Sequence, residues 1–188
     1  MAHVIEGQRT FTVEEYHRMG EAGVFGSDER VELIWGVIRE MSPKGRRHVQ
    51  AVTLANNLLT PALKGRAIVQ IQDPVSLKNS TSEPEPDVCV LSSADPRDAG
   101  SEDLESLLVI EVADTSLRFD RQDKAVMYAQ AGIADYWIVN LVDDVLEIHR
   151  DPKDGIYQDR IVLKPSDTVS PLAFPDPDLE IAVRDLLP

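Results

Sequence analysis

The chain has 188 residues, 43% of them apolar, which suffices to bury the core of a single domain and excludes disordered and fibrous classes. No apolar run approaches the ~18 residues of a membrane span, the N-terminus lacks a basic-then-apolar signal pattern, and the lone Cys89 can form neither an intramolecular disulfide nor a thiolate cluster, so the expectation is a soluble, cytoplasmic protein held by packing. A formal net charge of −14 argues against broad electrostatic binding to nucleic acid or anionic lipid, but the excess is uneven: residues 1–72 carry nine basic and eight acidic side chains, residues 73–188 ten and twenty-five.

Thr12-Val13-Glu14-Glu15 is a capping box and predicts a short helix to about Gly20. Arg30 to Met41 places Val, Ile and Trp around Gly36, the pattern of a hairpin. Residues 48–63 put His48, Val52, Ala55 and Leu59 at helical spacing. Around that helix, between Glu40 and Asp73, there is no acid, while Lys44, Arg46, Arg47, Lys64 and Arg66 all lie there; this basic island is either a solvated surface or a phosphate-contacting one. Ala67 to Gln72 and Pro74 to Leu77 are predicted strands, Asn79 to Pro86 a surface loop, and Asp87 to Leu91 another strand. After a second loop, Leu107 to Val112 is so continuously apolar that both faces must be covered, as in a central strand. Asp120 is expected to cap a helix running to Ala131 and ended by Gly132. Asp135 to Asn140 and Val145 to Arg150 read as strands joined at Asp143-Asp144, and His3, His17 and His149 as surface residues. The order of elements predicts an α/β or α+β domain with a mixed sheet.

A carboxylate inside an apolar strand is costly unless paired, hydrogen-bonded or bound to metal. Glu111, alternating with Leu107 and Val109, is the clearest case, and Asp87 opens a second apolar strand. Two such acids at neighbouring strands could hold Mg²⁺ or Mn²⁺ through oxygen ligands. On the following helix Lys124 shares a stripe with Met127, Tyr128 and Ala131, so its ammonium needs a buried partner near Glu111. Two acids and a lysine suit metal-assisted phosphodiester hydrolysis; there is no nucleophile elbow and no P-loop.

The segments Glu85-Pro86-Asp87-Val88, Ile110 to Leu117, Asp120 to Lys124 and Tyr128 to Val139, with Arg30 to Gly36, Met41-Ser42-Pro43 and His48 upstream, strongly resemble the Uma-type branch of restriction-endonuclease-like proteins in the PD-(D/E)XK nuclease superfamily. The resemblance implies an α/β fold with a restriction-endonuclease-like core, a mixed β-sheet flanked by helices, an N-terminal helix and a C-terminal β-rich extension. It implies one domain over residues 1–188, with its core at about 28–150 and the extension at 151–188. It implies Asp87 and Glu111 as metal ligands with Glu32 completing the site, and Mg²⁺ or Mn²⁺ as cofactor. The superfamily lysine, expected where Ala113 stands, corresponds here to Lys124 on the next helix. Asp87, Glu111 and Lys124 are then the catalytic set, with His48 and Tyr128 behind them and Lys44, Arg46, Arg47, Lys64 and Arg66 contacting DNA. A homodimer is the expected assembly. The alternative is a non-catalytic nucleic-acid or protein-binding module that keeps the acids and lysine as a structural ion-pair cluster.

Overall fold

A computed structural model describes residues 7–77, 81–101, 103–175 and 179–188. Its centre is a six-stranded mixed sheet in the order β3-β4-β5-β6-β7-β8, built from Ile68–Gln70, Val88–Leu91, Ser106–Ala113, Asp135–Asn140, Val145–Lys153 and Ile156–Leu163. Only β5 and β6 run parallel. The connection between them must therefore cross over the sheet, and it carries the helical segment 117–130.

Alternation along β5 explains its unbroken apolarity. Leu108, Ile110 and Val112 join the cluster under helix α2 (Arg46–Ala62), with Ala51, Val52, Ala55 and Leu59. Val109 and Ala113 point the other way, to Met127 and Tyr128 of the crossover segment. Glu111 has their parity, and Asp87 has the parity of Cys89 and Leu91, which belong to the same cluster as Val109. Both acids thus face the crossover side of the sheet.

Helix α1 (Val13–Glu21) carries the expected capping box, with Thr12 Oγ1 accepting from Glu15 N–H and Glu15 accepting from Thr12 N–H. The hairpin β1 (Val31–Ile34) and β2 (Val37–Glu40) lies outside the main sheet. Its two central residues, Trp35 and Gly36, have φ of 48° and 73°, the primed turn that matches strand twist. Gly36 is further pinned: its carbonyl accepts from Phe11 N–H and its N–H donates to Thr81 O, both at 2.8 Å.

Four local expectations are corrected. Pro74 to Leu77 is not a strand, because Gln72 turns the chain at φ 56° and Pro74 has no N–H to offer a ladder. Of the expected surface loop, Asn79 and Ser80 lie outside the described residues, while Ser82, Glu83, Pro84 and Pro86 are buried. They thread beneath the hairpin, Glu83 bridging Leu33. The crossover helix begins earlier than Asp120, with an α-turn α3 at Leu117–Phe119, a π-turn at Asp120–Lys124, and α4 at Ala125–Gln130. Finally, the boundary at 150 falls inside β7, and β8 is the sixth strand of the central sheet. Beyond it the ribbon of β9 (Thr168–Val169) and β10 (Ile181–Ala182) leads to a 3₁₀ turn whose Val183 and Leu186 are fully buried in the α2 cluster. The C-terminal residues are therefore part of the core.

A Cβ at Gly36 would sit 2.7 Å from Thr10 Cβ and 2.8 Å from Phe11 O, on backbone that already has positive φ. Gly36→Ala is expected to cost about 1–3 kcal/mol of stability, read as a lowered melting temperature. A wild-type melting curve would show that the hairpin tip is not fixed against residues 10–11.

Candidate active site

A cleft of about 380 Å³ opens between the hairpin, the start of α2, the end of β5 and the crossover segment. Four buried carboxylates reach it from four places: Glu32 from β1, Asp87 from the residue before β4, Glu111 from β5 and Asp120 from the π-turn. Lys124 enters from the same turn and is 4% exposed. Its Nζ is 2.9 Å from Glu111 Oε1 and 3.2 Å from Glu32 Oε2. Tyr128 Oη donates to the same Glu111 oxygen at 2.8 Å.

The π-turn has a geometric role. Residues four apart on an α-helix drift by about 40°, so Asp120, Lys124 and Tyr128 would spiral away from one another. A π-turn holds more residues per turn and sets the chain back over part of that drift. The turn is held from both sides. Asp120 O accepts from Tyr136 Oη at 3.1 Å. Arg121 Nε donates to both oxygens of the fully buried Glu147 at 3.0 Å.

Asp87 is satisfied differently. Its Oδ2 accepts Val112 N–H at 2.9 Å, and its Oδ1 accepts Gln72 Nε2 at 2.8 Å and lies 2.9 Å from His48 Nε2. His48 Nδ1 is 3.0 Å from Val112 O. A carbonyl and a carboxylate only accept, so an imidazole facing both is best matched by its doubly protonated form. Desolvation opposes that charge, but Asp87 outweighs it and raises His48. Burial likewise pushes Asp87 up, and His48, Gln72 and Val112 N–H reverse it to a lowered value.

Glu111 and Asp120 show the opposite balance. Burial pushes Glu111 up to about 8 despite Lys124, with Asp120, Asp87 and Glu32 adding repulsion. Burial also pushes Asp120 up to about 6, against the pull of Lys124 and the Ser116 hydroxyl, which donates at 2.5 Å. Lys124 is disfavoured by burial, yet Glu111, Glu32 and Asp120 together raise it. Seven acids line the cleft against the cations Arg30, Arg39, Lys44 and Lys124 and the His48 imidazole, an excess of acidic groups.

Hard oxygen donors with surplus negative charge are what Mg²⁺ or Mn²⁺ takes. In donor chemistry the cleft fits such an ion. Among the described residues, however, no three His, Cys, Asp or Glu side chains converge as a ready-made cluster. Lys124, Tyr128, His48 and Gln72 hold the acids instead.

The structure thus brings Glu32, His48, Asp87, Glu111, Lys124 and Tyr128 into one place. It does not do so for most of the basic island. Only Lys44 lines the cleft. Arg46 is exposed outside it, and Arg47 is tied to Leu141 O at 2.6 Å and to Asp144. Lys64 and Arg66 follow the far end of α2, about 25 Å from its start, and Arg66 stacks over Phe174. The acid-free span is contiguous in sequence, but a 17-residue helix separates its two ends.

The cleft's other cations are Arg30 and Arg39 of the hairpin, which no local sequence signal singles out. Asp120, expected only to cap a helix, also lines the cleft; its 120, 124, 128 spacing with Lys124 and Tyr128 is the sequence signal for that. His149, expected at the surface, is buried against the Tyr136 and Tyr157 rings, and burial lowers it to about 4. His17 is exposed, as expected, and pairs with Glu83 at 2.7 Å, and His3 lies outside the described residues.

Residues 13–184 match the family model Uma2, described as putative restriction endonuclease. Among solved structures, the chain is similar to one described as a putative nuclease belonging to DUF820 from Anabaena variabilis. The two are 17% identical and superpose with a TM-score of 0.66 over 94% of this chain and 97% of that one. No curated protein matches the chain. The six-stranded mixed sheet flanked by helices is therefore a restriction-endonuclease-like core.

Lys124→Met should show how Glu111 is ionised. A carboxyl raised above its ordinary value of 4.5 contributes stability that is fully present below that pH and is lost as pH rises through about 8. Without Lys124 the loss should deepen, so the substitution should cost on the order of 3–5 kcal/mol at pH 9 and clearly less at pH 5, where Glu111 keeps its proton. Urea unfolding at the two pH values measures this, and an equal cost at both would rule out an ionisable Glu111 held by Lys124.

Proposed function

The chain belongs to the Uma2 family of putative restriction endonucleases, and from that premise we propose that it is a Mg²⁺-dependent nuclease hydrolysing DNA phosphodiester bonds. The observation that carries this reading is the buried Lys124 ammonium between Glu111 and Glu32 in a cleft that also holds Asp87 and Asp120. In hydrolysis a water oxygen bonds to phosphorus, one ester P–O bond breaks and the departing alkoxide takes a proton. Asp87 and Glu111, assisted by Glu32, would hold the divalent ion, which when bound supplies Lewis acidity to the phosphoryl group.

The chain's own groups account for the rest. Lys124 Nζ offers N–H donors to a water or phosphoryl oxygen and stabilises the negative charge that builds on the five-coordinate phosphorus. Its raised pKa keeps it a cation and a donor rather than a base. Tyr128 fixes the Glu111 carboxylate from behind, and His48 fixes Asp87. Asp120 adds negative charge beside Lys124 and is the carboxyl best suited to exchange a proton near neutral pH.

The second reading, a binding module with a structural ion-pair cluster, draws on the same bonds, because Glu111 and Asp87 are already partnered. Metal titration separates the two. A resident site should stabilise the wild type by about 2.7 kcal/mol at a hundredfold excess of Mn²⁺ over Kd, and the protein should cut supercoiled plasmid or circular single-stranded DNA. Asp87→Asn should abolish cleavage and most of the metal response. It should also cost a modest amount of stability by breaking the His48 pair. A folded wild type that neither responds to Mn²⁺ or Mg²⁺ nor cuts either DNA would favour the binding module.

A further inference from the structure

The rim of the cleft holds few cations. Arg30 is paired with Glu85 at 3.4 Å. Lys44 donates to the neutral Gln72 amide, and Arg39 stands 4.0 Å above the ring of Phe119. Among the described residues, neither Lys44 nor Arg39 has a carboxylate ion-pair partner. The cleft therefore offers two cations outside any ion pair among the described residues, on a lining rich in acids, in a chain whose net charge is −14.

Duplex DNA presents one phosphate charge per ~1.7 Å of axis, and proteins that grip it usually neutralise several. Two cations cannot do that, and the chain's net charge of −14 opposes a longer electrostatic footprint. The cleft's volume, about 380 Å³, lies at the small-ligand end of binding sites, with room for about one nucleotide unit. The Arg39–Phe119 pair supplies a second kind of contact. Arg39 is exposed and its guanidinium carbon lies 4.0 Å over the centre of the Phe119 ring, so its solvent side can receive a nucleobase. Stacking on aromatic and guanidinium planes is how unpaired bases are held, and a base inside a duplex cannot reach such a platform.

Resting on the nuclease reading, we propose that the cleft selects unpaired DNA, with a base stacked on Arg39 over Phe119 and its neighbouring phosphate between Arg39 and Lys44. Selection then comes from stacking together with a short electrostatic footprint. Affinity for a single strand should depend weakly on salt, with a log–log slope of about −0.7 for one neutralised phosphate, against about −5 for a six-phosphate duplex contact.

The test uses the full chain in Ca²⁺ buffer and fluorescence anisotropy with three labelled probes: a single-stranded 12-mer, its duplex, and an abasic strand of equal length. The single strand should bind at least tenfold tighter than the duplex, and the abasic strand should lose most of that advantage. Arg39→Lys, which keeps the charge and removes the plane, should weaken the base-bearing strand about fivefold or more and leave the abasic strand unchanged. Phe119→Leu should act in the same direction. Equal or tighter duplex binding, or an Arg39→Lys protein that binds the single strand as wild type does, overturns this selectivity and leaves the nuclease reading standing. Failure of all three probes to bind overturns both.

Discussion

Burial of the Lys124 ammonium is the constraint on which the site depends. An ammonium of 4% exposure survives only where carboxylates stand within hydrogen-bond reach, and those carboxylates must come from elements far apart in the chain. Glu111 comes from the central strand and Glu32 from a hairpin outside the sheet. The hairpin is therefore held electrostatically as well as through its bridge to Glu83 and its contact with residues 10–11. The crossover segment must present Asp120, Lys124 and Tyr128 toward one point, which is the use of the π-turn. A π-turn inside a helix persists where its surroundings hold it. Here Tyr136 bonds the turn's carbonyl and Glu147 grips Arg121.

Two classes of buried acid coexist in this acidic chain, and their surroundings distinguish them. Glu147 is bonded by Arg121, Arg160 and Asn140, and those bonds outweigh its burial and lower its pKa. Asp135 accepts from Arg150, Trp137 Nε1 and Leu172 N–H. These acids have as many donors as they need and act as fasteners of β6, β7 and the C-terminal segment. Glu111 and Asp120 share one lysine with Glu32, and burial keeps both raised. An acid left under-compensated in a solvent-reachable cleft costs stability and provides chemistry. That contrast, rather than burial alone, sets the acids of the cleft apart from the structural ones.

Much of the architecture was legible from sequence because it follows from local rules. Period-two alternation and continuous apolarity identified β5 as central, and the acid within it as out of place. The capping box located α1, and Gly36 located the hairpin turn. Lys124 on an apolar helical stripe announced a buried partner. Strand parity even puts Asp87 and Glu111 on the same face, once their strands are known to be neighbours.

What sequence could not decide is what depends on elements distant in the chain. A run of Ser, Glu and Pro at 81–86 looks like surface until a hairpin lies over it, and His149 looks polar until two tyrosine rings enclose it. Asp120 is chemically a good cap; only the π-turn and the crossover bring it beside Lys124. The basic island is one stretch in sequence and two places in space, because helix α2 carries Lys64 and Arg66 away while the hairpin brings Arg30 and Arg39 in. The amino-acid sequence by itself determined the fold class, the central strand and the acids and lysine that do not suit their apolar surroundings, since each is a matter of local periodicity and solvation. The tertiary structure alone decided which charges share the cleft and in what proportion, since Coulomb interactions act through distance in space rather than separation along the chain.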